Sequence, residues 1–250
     1  MPDILVLCYH AITPRWPNEL AVDPAALERQ VRLLLRRGYR GMRFADITSP
    51  DGPPRRLAVT FDDGYRSIAE HALPVLGRLG VPGTVFVPTA HVGSPDPMSW
   101  PGIDDAARGP YADELRCMSW EQLEELAHRG WEIGSHTSTH PYLTRCDDAA
   151  LARELEDSRA AIVERLGACA TLAYPYGDTD RRVMAAARRA GYDLAAALPV
   201  RLNRPAPMGW PRLGIYPADV PWRFRLKVSR PVRAARVRLG GAALMEEPPS

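Results

Sequence analysis

An α/β fold with a parallel sheet closed, or nearly closed, into a barrel is predicted by three features of this sequence. Short apolar runs alternate with amphipathic helical patterns along most of the chain, which is the signature of parallel strands with helices outside them. About seven such runs can be counted, enough to close a barrel. The chemically distinctive residues, His10, Asp62, Asp63, His136 and Tyr176, all follow the ends of apolar runs, where the reactive groups of parallel barrels sit.

Ile4 to Tyr9 reads as the first buried strand. Asp23 is placed to cap a helix with Pro24 at its first position, running to about Arg37-Gly38. Leu57 to Phe61 is a strand, Arg66 to about Leu79 a helix, and Gly83 to Val87 the next strand. The connection from Pro88 to Met118 is rich in Pro, Gly and Asp and reads as a lid or a loop framing a site. Ser119 and Gln122 form a capping box for a helix ending near Gly130, and Trp131 to Ser135 is a strand that delivers His136. A long amphipathic helix covers Asp147 to about Gly167. Strand Thr171 to Tyr174, helix Thr179 to Gly191 and strand Tyr192 to Leu198 follow, with Leu213 to Tyr216 as the last strand.

This pattern makes 1–218 one barrel domain and leaves 219–250 as a basic, amphipathic tail. In the tail Trp222, Phe224, Leu226 and Val228 interleave with Arg223, Arg225, Lys227, Arg230, Arg233, Arg236 and Arg238. That composition suits either peripheral contact with an anionic membrane or a solvated terminal face. Residues 246–250 are expected to be disordered. The 250 residues carry a net charge of +2 with 25% charged side chains, without the bulk positive charge of a nucleic-acid binder. The start of the chain shows no basic leader and no run of membrane-spanning length, so a cytoplasmic location is expected, with peripheral contact at the inner membrane face. The four cysteines show no C-x-x-C spacing and read as free thiols.

The stretch Thr60-Phe61-Asp62-Asp63-Gly64-Tyr65 sets two adjacent carboxylates at a strand end. Successive strand side chains point to opposite faces, so both carboxylates share a pocket only where the backbone turns, which Gly64 permits. Like charges held together call for a cation, with one Asp as ligand and the other free to move protons; a solvated Asp-Asp-Gly turn is the bland alternative. His136 and His140 stand four residues apart, about one helical turn, and two imidazoles with a carboxylate make a three-ligand site with an open position.

TFDDGY (60–65), SHTSTH (135–140) and AYPYG (173–177), in that order, resemble the polysaccharide deacetylases, carbohydrate esterases with a NodB-like domain and a distorted (β/α) barrel. The resemblance spans roughly 3–216. Leu7-Cys8-Tyr9-His10 is similar to the branch acting on poly-N-acetylglucosamine and other exopolysaccharides. It implies Asp63, His136 and His140 as ligands of a divalent metal, Zn2+ first and Ni2+, Co2+ or Mn2+ as alternatives. It also implies Asp62 as general base and the backbone N–H of Tyr176 as oxyanion donor. Two departures stand out. No histidine follows His140 to serve as the acid found in many relatives, and His10 is the substitute, with His91 behind it. Ala173 stands where many relatives carry an Arg that orients the base, and Arg212 is the candidate replacement. Trp100, Met208 and Trp210, with Tyr176, are candidate walls for a sugar ring. The expected activity is hydrolysis of N-acetyl groups from a saccharide, polymeric or lipid-linked; the alternatives are another acyl group and a silent carbohydrate-binding module.

Overall fold

Parallel strands curl into a nearly closed barrel with helices around it in the computed structural model, which describes residues 2–198 and 205–240. The side chain of Arg238 and residues 246–250, named above, lie outside the described residues. Strand β1 (Asp3–Tyr9) leads into a short parallel pair, β2 (Ala11–Ile12) and β3 (Ala21–Val22), and then α1 (Pro24–Arg36). As predicted, Asp23 caps α1, accepting from the N–H groups of Ala25 and Ala26 at 2.8 and 3.2 Å. A two-residue β4 (Arg40–Gly41), which no sequence pattern announced, pairs with β5 (Arg55–Phe61).

The helix expected over 66–79 is divided. Ile68–Ala72 is a π-turn, with Leu73 N–H bonded to Ile68 O, and only Leu73–Leu79 is α2. Pro74 has no N–H to continue the ladder, and the widened turn absorbs the break. There follow β6 (Gly83–Val87), a loop carrying α3 (Asp104–Ala107), α4 (Trp120–His128) with its capping box, and β7 (Glu132–Ser135). The second half contains α5 (Asp148–Leu166), β8 (Thr171–Ala173), α6 (Arg181–Arg189) and β9 (Leu194–Ala197), then β10 (Trp210–Pro211) and β11 (Leu213–Gly214).

Side-chain alternation divides each strand between two layers. Leu5, Leu7, Leu57, Val59, Val85 and Leu172 pack outward with helix residues such as Leu27, Val31, Leu126 and Leu155. The alternate set, Val6, Ala58, Phe86, Ala173, Ala196 and Trp210, fills the barrel. Small residues make room for the large ones there: a Cβ on Gly134 would stand 2.7 Å from the Phe86 ring. At the N-terminal end of the barrel the Glu132 carboxylate accepts from Ala45 N at 2.9 Å and from the hydroxyls of Thr84 at 2.9 Å and Thr171 at 2.6 Å. Burial pushes its pKa up.

The sheet runs β10-β9-β8-β7-β6-β5-β1-β11. Its two edge strands are consecutive in sequence, with only Arg212 between them. The last strand expected at 213–216 is therefore only the two-residue β11, and Arg212 joins it to β10, which was not expected, on the other side of the barrel seam. Arg212 N–H donates to Ala197 O at 3.1 Å, and Ile215 N–H to Cys8 O at 2.8 Å, so the backbone is held to both edges.

Beyond the seam lie α7 (Pro221–Lys227) and α8 (Arg230–Gly240). The alternation in the tail becomes a division of helix faces: Phe224 and Val228 are buried against the barrel, while Trp222 and Leu226 stand in solvent. Arg233 anchors the start of α8 to Asp3 at 2.6 Å, and Tyr39 donates to the same carboxylate at 2.6 Å.

Candidate active site

Asp63, His136 and His140 converge in a buried cluster beyond the C-terminal ends of β5 and β7, with one donor atom from each within 4.8 Å of the others. The backbone achieves this by unusual conformations. Asp62 continues β5, and Asp63 then enters the left-handed region at φ 66°, followed by Gly64 at 63°. Thr137 and His140 do the same at 67° and 64°. The two histidines thus sit on a loop with two left-handed residues rather than on one turn of helix, which corrects the geometric reason given for their spacing. Their rings are 4.8 Å apart at 66°. Together with Tyr176, at φ 58°, these are the non-glycine residues with positive φ among those described, and all lie at this site; such conformations persist where the surrounding structure over-determines them, and they cluster at active sites and ligand clamps.

The donor set fits a metal. Asp63 Oδ1 stands 3.4 Å from His136 Nε2 and 3.3 Å from His140 Nε2. A tetrahedral centre with ligand bonds of about 2.0–2.1 Å would set its donors about 3.3–3.4 Å apart. Asp63 Oδ1 is also buried without an aligned hydrogen-bond donor. His136 Nδ1 lies 2.7 Å from Ala173 O, which only accepts, so Nδ1 carries the proton and Nε2 presents its lone pair to the cluster. Burial raises the pKa of Asp63, and the charge and hydrogen bonds that His136 and His140 supply when protonated outweigh it, holding the carboxyl well below the usual range.

Asp62 faces a different set of partners. Arg212, wholly buried, donates from Nη1 to Oδ1 at 2.6 Å and from Nη2 to Oδ2 at 2.7 Å, and Cys8 Sγ donates to Oδ2 at 3.3 Å. Burial pushes the Asp62 carboxyl up and the Arg212 charge outweighs it, leaving the pKa lowered to about 2. The Arg predicted to replace the one missing at Ala173 is thus the residue that spans the barrel seam. His10 also reaches the site: a ring nitrogen, Cys8 Sγ and an Asp62 carboxylate oxygen all lie within 4.8 Å of one another. Its Nδ1 is buried without a partner.

The candidate sugar walls fare differently. Trp210 is 9% exposed and packs with Phe86 and Ala196 inside the barrel, so it is core. Met208 is buried, its carbonyl accepting from the Tyr174 hydroxyl at 2.9 Å. Trp100 lies flat on His140, with centroids 4.0 Å apart at 22°, and braces the imidazole rather than offering a free face; His91 packs edge-on against it at 5.5 Å. The Tyr176 ring stacks on Tyr142 at 4.0 Å, with Arg145 beneath Tyr142 at 4.3 Å, forming a ledge beside the cluster. No hydrogen bond from the Tyr176 N–H appears among the described residues.

Two residues at the site had no assigned role in the sequence reading. Cys8 reads as a free thiol within Leu7-Cys8-Tyr9-His10, and nothing in that stretch marks it as a partner of Asp62. Glu154, from α5, accepts from the N–H groups of Ser138 at 2.9 Å and Thr139 at 2.8 Å and from the Thr139 hydroxyl, fixing the loop that carries His140. Its signal, one Glu in an amphipathic helix, is indistinguishable from a solvated charge. Glu154→Ala is expected to weaken metal binding about 10–100-fold with little change in the fold, as read by competition with a chromophoric chelator.

Comparison with known proteins follows the same lines. Residues 49–195 match the family model described as polysaccharide deacetylase. YxkH of Bacillus subtilis (strain 168) is 25% identical over 195 residues, covering 76% of this chain and 62% of that protein. The poly-beta-1,6-N-acetyl-D-glucosamine N-deacetylase of Staphylococcus aureus (strain MSSA476) is 27% identical over 135 residues, 50% of this chain and 41% of that one. The chain therefore spans less than two thirds of either relative. Among solved structures, the Streptococcus pyogenes deacetylase PplD in complex with acetate superposes with a TM-score of 0.75 at 21% identity, covering 92% of this chain and 100% of that one. IcaB from Ammonifex degensii does so with a TM-score of 0.72 at 25% identity, covering 92% and 98%.

Proposed function

This chain belongs to the polysaccharide deacetylase family, and we propose that it is a metal-dependent hydrolase that removes N-acetyl groups from an amino-sugar polymer or its lipid-linked precursor, releasing acetate and leaving a free amine. The observation that carries this reading is the division of labour between adjacent carboxylates: Asp62 is clamped by Arg212, and Asp63 faces two imidazoles. A cation held by Asp63, His136 and His140, Zn2+ first by ligand type and Ni2+, Co2+ or Mn2+ as alternatives, would supply a water of lowered pKa and polarise the acetyl oxygen.

The remaining work falls to the chain. A carboxylate has about four lone-pair positions; Arg212 takes one on each oxygen of Asp62 and Cys8 a second on Oδ2. Oδ1 keeps a position open, and it is the atom that accepts the proton from attacking water. The Tyr176 N–H, on a left-handed backbone and without a partner among the described residues, donates to the oxyanion. His10 delivers a proton to the departing nitrogen, without which an amine is a poor leaving group.

Oligomers of β-1,6-linked N-acetylglucosamine are the first substrate to test, since the matched Staphylococcus aureus protein acts on that polymer by name. Acetate release that requires added divalent metal and stops with a chelator is the expected result. His10→Ala should lower kcat about 100-fold or more with a smaller change in KM. An absence of release from polymeric and lipid-linked N-acetylated substrates alike, under each of the four metals, would overturn the reading.

A further inference from the structure

Large apolar side chains stand in solvent at one place among the described residues: Val220 is 43% exposed, Trp222 62% and Leu226 55%. A single exposed Leu or Val is ordinary. Three within seven residues are not: Trp222 and Leu226 stand one turn apart on the outward face of α7, whose inward face is already satisfied by Phe224 and Val228, and Val220 caps the same helix. Val220 also lines a groove of about 1170 Å³ between α1 and residues 216–225, while Trp222 and Leu226 stand outside it.

Cations surround the patch. Arg223 and Arg225 flank Trp222 and Leu226 on α7, while Arg29 and Arg36 on α1 line the groove that Val220 and Arg225 line from the other side. All four are exposed, and none has a carboxylate partner among the described residues. The acidic groups nearby are mostly engaged: Asp23 caps α1, Asp219 pairs with Lys227 at 2.5 Å, and Glu28 pairs with Arg32 and Arg78. Glu19 is the remaining carboxylate on the groove wall. An apolar centre with a rim of guanidinium groups that lack carboxylate partners, Arg223 lying over the Trp222 ring at 5.3 Å, complements a surface that is apolar beneath and anionic above. A second copy of the chain would set these like charges against each other.

We propose that the α7 edge of the barrel docks on an anionic lipid bilayer, with Val220, Trp222 and Leu226 entering the interface and Arg29, Arg36, Arg223 and Arg225 meeting the phosphates. Trp at the headgroup boundary and Arg just above it are the expected placements. The edge adjoins the catalytic rim, since Gly214, six residues before Val220, pairs with Cys8 beside His10. Docking therefore brings the mouth of the site alongside the bilayer, where a lipid-tethered saccharide would be presented. That choice of substrate rests on the deacetylase reading; the docking itself does not.

The test is co-sedimentation of the full chain with vesicles of phosphatidylcholine alone or mixed with phosphatidylglycerol. Binding is expected only to the anionic vesicles, weakened by raised salt, with a blue shift of Trp222 emission. The double variant Trp222→Ser and Leu226→Ser leaves the charge unchanged and should reduce partitioning at least about tenfold. Arg223→Ser with Arg225→Ser should reduce it similarly, whereas Arg188→Ser with Arg189→Ser, the same charge change on α6, should not. Two results would overturn the proposal: no binding to anionic vesicles by wild type, or binding that the Trp222 and Leu226 changes leave intact. A concentration-dependent dimer abolished by Trp222→Ser would assign the patch to a second copy instead. Because docking is read without turnover, a failed deacetylase assay leaves this result standing, and the reverse holds too.

Discussion

Asp62→Asn is expected to lower kcat for acetate release by about 10²–10⁴-fold, the contribution of a positioned base. The amide keeps the shape of the carboxylate but offers no lone pair of comparable basicity at the open Oδ1 position. It also leaves Arg212 buried without a counter-charge, so the variant should lose about 3–5 kcal/mol of stability. The two effects separate by measurement: single-turnover acetate release well below the unfolding temperature reports the chemistry, and denaturant unfolding reports the pair. Full turnover in a folded Asp62→Asn protein would remove the base assignment.

The pH dependence has a definite sign. The folded-state pKa of Asp62 is lowered to about 2, with burial raising it and Arg212 more than offsetting that. A depressed carboxyl contributes stability that is complete above its unfolded value, about 3.9, and lost as pH falls through the folded value. The stability gap between wild type and Asp62→Asn should therefore be flat from about pH 5 to 8 and close only in strong acid. Any loss of wild-type activity between about pH 5 and 7 must arise in another group, because Asp62 stays ionised throughout.

Much of this arrangement is legible in the sequence because it is local. Asp23 before Pro24 and Ser119 three residues before Gln122 are short-range signals, and they cap the helices they predict. The period-two strands likewise lead to Asp62, Asp63 and His136 at their ends. The histidine pair shows a limit of such reasoning. The residues are right, but a helical turn is the wrong cause, since two left-handed residues and the Glu154 carboxylate shape the loop. Left-handed conformations at Thr137 and His140 leave no compositional trace, as neither is a glycine. Trp210 and Trp100 illustrate another limit. An aromatic residue near a site in sequence can fill the barrel or brace a ligand, and only the fold decides which. In the tail, helical geometry divides apolar residues two apart between opposite faces, so the run reads as uniformly amphipathic until the helix is seen.

The least local feature is the one from which the final prediction follows. Arg212 and Asp62 are 150 residues apart, and nothing near Arg212 marks it as more than an Arg before a strand. Its place at the seam makes it both the closure of the barrel and the clamp on the base. Arg212→Met keeps the aliphatic bulk inside the barrel but removes the paired N–H donors, stranding the Asp62 carboxylate at a cost of about 3–5 kcal/mol. Burial, no longer outweighed, then pushes the Asp62 pKa up instead of down. The sign of the linkage reverses. The variant's stability is lost as pH rises through the raised pKa, so its deficit against wild type should be larger at pH 7 than at pH 4 in paired denaturation curves. Its kcat/KM should also acquire an acid limb where Asp62 is protonated, with activity recovering as pH rises. Arg212→Lys should rescue little, because one ammonium cannot reproduce two parallel N–H donors. The double variant Asp62→Asn with Arg212→Met supplies the deciding comparison: with both charges gone it should be more stable than either single variant, although it is inactive. If Arg212→Met instead matched wild type in stability and in pH profile, the guanidinium would be a spacer at the seam, and the orientation of Asp62 would have to come from Cys8 and the backbone alone.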